Sequence, residues 1–260
     1  MYLAKSIAAS GLRNQQTRID SIANNLANIN THGYKNARLD FKDSLYTTGI
    51  TPGPARTPDG NQQKGHGLMI AGVTRDFKPG SMERTERDLD FTIEGEGFFS
   101  LSSPTGETVY TRSGIFHRSV EANGTFLVNN DGFYVLDENG NRIQFPPETF
   151  SIAGDVDGTL RFTDVNNNLL ATERLGIFTF RNLKGLEALG NSNFTPSPAA
   201  GERFQVNDNV AVRQGMLEAS NVKLADEMSR IIRTQRAFQL ASRALTTADE
   251  MQGVANSMRR

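Results

Sequence analysis

The stretch SGLRNQQTRIDSIANNLANINTHGYK, residues 10–35, determines the architecture because its apolar side chains recur every three or four residues. That spacing places them on one side of a helix. These apolar positions are Leu12, Ile19, Ile22, Leu26 and Ile29. We predict a helix from about Leu3 to Asn30. Beyond its end, Gly33 is expected to cap the helix in a left-handed conformation, with Tyr34 folded back against it.

A second amphipathic segment lies at the other end of the chain, where residues 218–251 read EASNVKLADEMSRIIRTQRAFQLASRALTTADEM. Its stripe begins with steps of four, three, four and three, as in a helix with one apolar side. The stripe consists of Leu224, Met228, Ile231, Gln235 and Phe238, and it continues through Ala241, Leu245 and Ala248. We predict a helix that begins near residues 218–221 and ends near Asn256. Either Ser220 or Asn221 is expected to cap its first turn.

The two helices are expected to pair as a coiled coil, because a long β-rich stretch separates two matching amphipathic segments. The step from Phe238 to Ala241 departs from strict heptads and predicts a local shift of register. A polar Gln235 inside the stripe would fix the register at some cost in stability. Apolar surface left over after this pairing favours joining neighbouring copies of the chain. A core helix of a larger bundle is the alternative for the first helix.

The residues between the helices read as strands and turns. Short runs of β-branched and aromatic residues lie between tight-turn pairs such as Asn123-Gly124 and Asn139-Gly140. The predicted strands cover residues 91–93, 98–101, 109–111, 115–116, 126–128, 134–136, 160–163 and 175–180. We therefore predict an α+β fold that is mainly β. Its terminal helices pair, and its centre is an antiparallel barrel or sandwich-like domain.

Four regions are expected along the chain. They are residues 1–35, the first helix of a coiled-coil domain; residues 36–80, an extended arm or connector; residues 81–212, a β-rich outer domain; and residues 213–260, the second helix. Within the arm, residues 34–46 predict a short helix or an irregular packed segment. The stretch from Gly49 to Gly72 is rich in Pro and Gly, so it predicts a loop or arm without a core of its own. Such an arm would bridge neighbouring copies, with a passive linker as the alternative.

The composition excludes several classes of function. The 260 residues include 28 basic and 29 acidic side chains, and this balance argues against binding to nucleic acid or to an anionic membrane surface. The absence of Cys excludes disulfides and thiolate metal sites. Polar residues interrupt every apolar stretch before it reaches the length of a membrane span, and the first residues make a poor secretory signal. The expected partner is protein, and export would depend on something other than a cleaved peptide.

The sequence offers little material for catalysis or cofactor binding. The histidines at positions 32, 66 and 117 are too scattered for a helical metal pair. Oxygen-bearing side chains occupy calcium-loop positions at Asp137, Asn139, Asn141 and Glu148. Arg142, however, stands where such a loop needs Gly, so this stretch predicts a hairpin turn instead. We predict no catalytic, cofactor-binding or metal residues.

Both ends of the chain carry motifs of a known family. These motifs are Ala23–Asn28 (ANNLAN), Gly33-Tyr34-Lys35, Ser220-Asn221-Val222 and Gln235–Phe238 (QRAF), with Gly95–Phe99 (GEGFF) between them. Together they resemble the flagellar rod and hook family of bacterial axial proteins, over nearly the whole chain. The length and the single modest β domain favour a rod component, distal or proximal. A hook protein usually carries a further outer domain.

This resemblance implies a structural subunit rather than an enzyme. Family members assemble into a hollow helical tube that transmits torque and conducts exported subunits. The implied partners are copies of the chain itself, neighbouring rod and hook proteins, and the flagellar export apparatus, without nucleic acid, small-molecule substrate or cofactor. The implied location is the flagellar basal body, in the cell envelope outside the inner membrane. Export would use the flagellar type III apparatus without a cleaved signal peptide.

The predicted assembly interface follows the two helical stripes. It consists of Leu12, Ile19, Ile22, Asn25, Leu26, Ile29, Gly33, Leu224, Met228, Ile231, Gln235, Phe238 and Leu245. One alternative is a proximal rod or hook subunit of the same family. A second is a surface or adhesin-like protein with a coiled-coil stalk, which would form closed trimers. A third is an enzyme with an unrecognised site in the β domain, which would need a deep pocket of converging titratable groups.

Overall fold

The computed structural model of the chain has a long helix at each end and a series of short strands between them. The structure describes residues 2–44, 46–49, 62–65, 67–206 and 210–258. The chain divides into two compact units. Unit 1 comprises Met1–Ala27, Ala37–Arg75 and Lys223–Arg260, and unit 2 comprises Asn28–Asn36 and Asp76–Val222. The predicted α+β class, mainly β with a helix at each end, is confirmed. The domain boundaries derived from the sequence stay a prediction.

Unit 1 contains both helices, α1 (Tyr2–Ala27) and α2 (Leu224–Ser257). The two helices pack against each other. Lys5, near the start of α1, forms an ion pair with Asp249, near the end of α2. The helices therefore run antiparallel. At about 1.5 Å per residue, the 34 residues of α2 extend over roughly 50 Å.

Two pairs of antiparallel strands complete unit 1. The strands are β1 (Ala37–Asp43), β2 (Tyr46–Gly49), β3 (Gln62–Gly65) and β4 (Leu68–Arg75), and β1 pairs with β4 while β2 pairs with β3. The prediction of a short helix or irregular segment over residues 34–46 is wrong. Half-buried Leu39 and Phe41 alternate with exposed neighbours, which is the period of a strand. The loop predicted from Gly49 to Gly72 is likewise wrong over β3 and β4, while residues 50–61 and residue 66 of that stretch lie outside the described residues.

The helix ends differ from the sequence-based expectation. α1 ends at Ala27 because the chain then forms turns, with Thr31 N donating to Asn28 O at 3.2 Å. Gly33 has the expected left-handed φ of 70°. It does not cap the helix, because its N–H donates to Glu218 O at 2.8 Å instead.

The start of α2 also lacks the predicted cap. The helix begins at Leu224, and Lys223 precedes it without a side-chain capping bond. Ser220 accepts only from Val222 N, at 3.3 Å. Asn221 is too far upstream to reach the first turn and uses its amide elsewhere, so the prediction of either residue as the cap is wrong.

Unit 2 holds the remaining strands. They are β5 (Met82–Arg84), β6 (Phe91–Glu94), β7 (Phe98–Ser102), β8 (Thr108–Thr111), β9 (Phe116–Glu121), β10 (Gly124–Asn129), β11 (Tyr134–Val135), β12 (Gln144–Phe145), β13 (Ser151–Gly154), β14 (Thr159–Thr163), β15 (Leu169–Arg174), β16 (Ile177–Phe180), β17 (Leu186–Gly190), β18 (Asn193–Pro196), β19 (Arg203–Gln205), β20 (Ala211–Gln214) and β21 (Met216–Glu218). The predicted strands therefore fall on observed ones. The predicted tight turn at Asn123-Gly124 joins β9 to β10, where Glu121 lies opposite Gly124.

The largest sheet of unit 2 is open. It has ten strands, and its main path runs in the order β12-β10-β11-β7-β8-β18-β17, with β9, β16 and β19 attached beside it. A barrel requires its first and last strands to pair, and β12 and β17 do not pair. Of the predicted barrel or sandwich-like domain, the barrel is therefore wrong. Smaller sheets consist of β13-β14-β15, β20-β6 and β21-β5.

Strand β7 is buried on both faces. Successive side chains of a strand point to opposite sides, so Phe98 and Phe99 enter different hydrophobic clusters. The ring of Phe99 meets that of Phe116 edge-on at 5.3 Å in the larger cluster. In the smaller cluster, the rings of Tyr110 and Phe180 meet at 4.8 Å. Two aromatic cores thus fix the sheet around β7.

Candidate assembly surfaces

One side of α2 is buried within the chain. Its least exposed residues follow alternating steps of four and three, at positions 227, 231, 234, 238, 241, 245, 248 and 252. Glu227 and Thr234 occupy positions on this side, whereas Met228 and Gln235 are exposed. The alternation therefore continues without a break, and the predicted register shift after Phe238 is wrong.

Two of the three polar residues on the buried side, Glu227 and Thr234, find partners within α2, whereas the Oε1 of the third, Gln252, has no hydrogen-bond partner among the described residues. The Glu227 carboxylate accepts a hydrogen bond from Arg230 Nη1 at 2.5 Å. The Thr234 hydroxyl donates to the backbone oxygen of Arg230 at 2.8 Å. Buried polar groups are tolerated when they are hydrogen-bonded. The register role predicted for Gln235 is wrong, because Thr234 takes the buried position.

Other residues of α2 present large apolar side chains to solvent. They are Leu224, Met228, Ile232, Leu240, Met251 and Val254, and with Met258, which follows the last residue of the helix, we call them the α2 apolar row. Ile232 is 52 % exposed and Leu240 66 % exposed. Single apolar residues on a surface are ordinary, but several along one helix are typical of a protein interface.

Two asparagines of α1 hold the β1–β4 pair. Asn25 makes both bonds of a backbone-like pair, because its Nδ2 donates to Ala37 O at 2.9 Å and its Oδ1 accepts from Ala37 N at 3.0 Å. Asn14 Nδ2 donates to Leu68 O at 2.6 Å. Since Asn14 and Asn25 are about three helical turns apart, they lie on the same side of α1. The spacing of Asn14 and Asn25 is visible in the sequence, but Asn14 is polar and was therefore not included in the predicted apolar stripe.

The structure places the predicted interface residues in three environments. Ile22, Asn25 and Gly33 are buried; Leu12, Ile19, Leu26, Ile29, Ile231, Phe238 and Leu245 are half-buried; and Leu224, Met228 and Gln235 are exposed. Ile22 and Asn25 meet residues of α2 around a cleft of about 160 Å³, which Glu227 and Arg230 also line. The role of these residues between copies of the chain stays a prediction.

Unit 2 contains a buried cluster of three charges, Lys35, Arg112 and Glu218, which we call the charge junction. Glu218 Oε1 accepts from Lys35 Nζ at 2.5 Å, and Oε2 accepts from Arg112 Nη1 at 3.3 Å. Each of the three side chains is at most 2 % exposed. The backbone of Gly80 also donates to Oε1, at 2.8 Å. One carboxylate thus joins segments that lie far apart in the sequence.

Both cations of the charge junction have further oxygen partners. Lys35 Nζ donates to Lys78 O at 2.9 Å, and Arg112 Nη2 donates to Gly95 O at 2.7 Å. Burial lowers the pKa of Lys35 and that of Arg112 below their ordinary values, while the nearby charge of Glu218 acts in the opposite direction on both. Glu218 is therefore the group that makes two buried cations tolerable.

The contacts near the charge junction show why the terminal motifs have a glycine at position 33 and an asparagine at position 221. A Cβ on Gly33 would lie 2.5 Å from Ser113 N, so no larger residue fits there. Asn221 Oδ1 accepts from Asn36 N at 2.8 Å, and its Nδ2 donates to Asp76 O at 2.7 Å. Sequence reasoning missed these roles, because the partners of Asn221 are 185 and 145 residues away and leave no spacing signal.

Residues that resembled a calcium loop form a turn. Asp137 Oδ1 accepts from the backbone N of Asn139 at 2.9 Å and of Asn141 at 2.6 Å. Throughout the described part of the chain, no three His, Cys, Asp or Glu side chains come together in a way that could hold a metal ion. In that same part, neither helix combines the length and apolar character that crossing a membrane requires.

Three family profiles match successive parts of the sequence. Residues 6–35 match "Flagella basal body rod protein", residues 92–162 match "Flagellar hook protein FlgE/F/G D1 domain", and residues 213–258 match "Flagellar basal body rod FlgEFG protein C-terminal". The first and last matches contain α1 and α2 almost entirely, and the charge junction draws one residue from each match.

Several curated proteins are similar over their whole length or nearly so. The flagellar basal-body rod protein FlgG of Borreliella burgdorferi is 37% identical over 272 residues, which covers 100% of both chains. FlgG of Bacillus subtilis is 37% identical over 251 residues and 93% of each chain. The flagellar hook-basal body complex protein FlhP of the same organism is 33% identical, over 99% of this chain and 100% of its own.

Proposed function

Because this chain belongs to the family of flagellar basal-body rod proteins, we propose that copies of it assemble into a hollow helical tube. The chain is a structural subunit of the rod and not an enzyme. In the proposed tube, α1 and α2 pair as a coiled coil and line the channel. The tube transmits torque and conducts exported subunits.

The α2 apolar row carries this proposal. One side of α2 is already covered within the chain, so the exposed row remains for a neighbouring copy. A contact between different surfaces of identical subunits produces an open helix when its rotation does not close. Burying a large apolar side chain contributes about 1.5–3 kcal/mol when the burial is complete. The half-exposed residues of the row contribute less each, but every subunit of a tube repeats the contact.

The position in the rod and the route to it belong to the same proposal. Similarity to FlgG over the full length of both chains supports the distal rod component. Its neighbours are other rod and hook proteins, and the flagellar type III apparatus delivers it through the cell envelope to a site outside the inner membrane. The stretch from Gly49 to Gly72 bridges neighbouring copies, with residues 50–61 outside the described part of the chain.

Polymerisation of purified protein tests the proposal. We expect Ile232→Asp to place a charge in the contact between copies, so that the variant stays in the supernatant where the unaltered chain sediments as filaments. Val120→Asp makes the same chemical change at a residue of β9 that is 78 % exposed, and it serves as the matched control. Equal sedimentation of the two variants would show that the α2 apolar row is not the contact.

A further inference from the structure

Unit 2 has a cavity of about 310 Å³ lined mainly by polar residues, which the structural role of the chain does not explain. Four segments line it, and we call it the polar socket. They are residues 31–32, residues 111–115, the turn at residues 129–131 and the turn at residues 191–193. A cavity needs only about 10–15 Å³ of such volume to hold one water molecule, so the socket has room for a polar side chain.

Three side-chain hydrogen-bond donors of the socket are already engaged. Asn191 Nδ2 and Asn193 Nδ2 donate to the two carboxylate oxygens of Asp131, each at 2.7 Å. The Thr111 hydroxyl donates to Ser192 O at 3.0 Å. The Asp131 carboxylate is therefore held in a fixed orientation. None of the ion pairs among the described residues includes Asp131, so its charge has no cation.

Acceptors of the socket, in contrast, are left over. Asn193 is only 4 % exposed, and its Oδ1 has no hydrogen-bond partner among the described residues. Ser192 Oγ and His32 Nδ1 are likewise without a partner among the described residues. The hydroxyl accepts as well as donates, and the ring nitrogen accepts in the tautomer that carries its proton on Nε2. A buried polar atom without a partner is costly, and each such atom in a native structure requires an explanation.

Together, a carboxylate without a cation and several free acceptors define the ligand that would fit. It carries positive charge and donates several hydrogen bonds in different directions. A guanidinium group, planar and with five N–H donors, meets both conditions better than an ammonium group. A bound metal ion does not, because no suitable group of metal ligands exists among the described residues.

We propose that the polar socket receives the guanidinium of an arginine from a second copy of this chain. The proposal rests on the assembly of copies argued above, and it names a specific polar contact between them. In an isolated subunit, Asp131 and Asn193 lack this partner. In the tube, the arginine neutralises the carboxylate and satisfies the free acceptors, which aligns neighbouring subunits more strictly than apolar contact alone.

Binding of methylguanidinium to the full chain, below its polymerisation threshold, tests the chemistry of the socket. We expect saturable changes in the NMR shifts of the Asn191 and Asn193 side-chain amides, with no such changes from neutral methylurea. Asp131→Asn should weaken binding by about tenfold, the usual scale for loss of one charge-assisted bond. Ser192→Gly is a second variant that keeps the left-handed backbone without strain, and it should also weaken binding. Absence of saturable shifts, or equal binding of methylurea, would overturn the proposal.

Polymerisation tests whether a second copy supplies the cation. We expect methylguanidinium and Asp131→Asn each to raise the critical concentration for filaments by about tenfold. If Asp131→Asn abolishes binding of methylguanidinium yet polymerises like the unaltered chain, the cation is a free one and the second-copy contact is wrong. If the unaltered chain forms no filaments at all, the assembly proposal fails, while the titration still decides whether the socket binds guanidinium.

Discussion

Glu218 joins two cations that are buried in unit 2. Its carboxylate lies between Lys35 and Arg112, and its backbone oxygen accepts from Gly33 N at 2.8 Å. A buried ion cluster stabilises a fold little more than apolar packing does, but it becomes strongly destabilising when one partner is lost. A single change here is therefore expected to matter more than the loss of any surface ion pair.

We expect Glu218→Gln to lower the free energy of unfolding of the chain by about 3–5 kcal/mol, because Lys35 and Arg112 would remain buried without a counter-charge. Urea denaturation followed by circular dichroism measures the change. Glu94→Gln is the matched control, since it breaks a half-exposed pair with Arg213 and should cost about 1 kcal/mol or less. Similar losses in the two variants would mean that the charge junction does not hold unit 2 together.

Gly33→Ala should be more harmful than the same change at an open left-handed glycine. Gly132 has a φ of 78°, but a Cβ added there would meet no atom within 4 Å, so Gly132→Ala tests backbone strain alone. That strain costs about 1–2 kcal/mol. At Gly33 the new methyl would also meet the backbone of Ser113, which adds about 1–3 kcal/mol. Thermal unfolding measures the melting temperature of both variants. An equal decrease in the two would show that the close contact with Ser113 adds nothing to the backbone strain.

The roles of these residues could be predicted only in part. Gly33 and Lys35 stand in a motif beyond the end of α1. The left-handed φ of Gly33 was predicted, but for a helix cap that does not form, since its N–H donates to Glu218 O. Lys35 and Glu218, however, are 183 residues apart. No local spacing connects them, so their contact required the folded structure.

At the level of elements, both helices were predictable from periodicity, but the buried side of α2 was not. Apolar Met228 was placed on the stripe, while Glu227 is buried and Met228 is 44 % exposed. Periodicity analysis counts apolar residues and cannot recognise a polar residue whose partner lies one turn away. The bond between Glu227 and Arg230 is such a case.

Adjacent isoleucines of α2 provide a test of the helix pair. Ile231 is half-buried, whereas Ile232 is 52 % exposed. We expect Ile231→Asp to destabilise the packing of α1 on α2 by several kcal/mol, because it buries an unpaired charge. Ile232→Asp should leave the helical circular dichroism of the monomer unchanged. Equal loss of helix in both variants would show that the buried side of α2 is assigned incorrectly.

Deletion of residues 51–61 tests the bridging segment. The stretch is rich in Pro and Gly, so it should contribute little to a hydrophobic core. We expect the melting temperature of the monomer to stay unchanged, while the filaments become shorter or mechanically weaker under shear in electron micrographs. A monomer that unfolds would place the segment in the core, and unaltered filaments would make it a passive linker.

At the level of the whole molecule, the strands and turns were predictable, but the strand order was not. Asn123-Gly124 marks a local hairpin, and its turn chemistry fixes which strands it joins. The pairing of β16 with β7, in which Ile177 lies opposite Phe99, connects distant segments through a shared core. Nothing local to either strand specifies that neighbour. The open sheet instead of a closed barrel follows from the same non-local pairings.

The central claim is that copies of the chain form a tube through their terminal helices. Helical reconstruction by electron cryomicroscopy, on filaments of the purified full chain at high concentration, tests it most directly. We expect open-ended hollow tubes in which α1 and α2 line the channel and the α2 apolar row contacts a neighbouring subunit. Closed trimers or rings at every concentration, or a channel lined by strands, would contradict it.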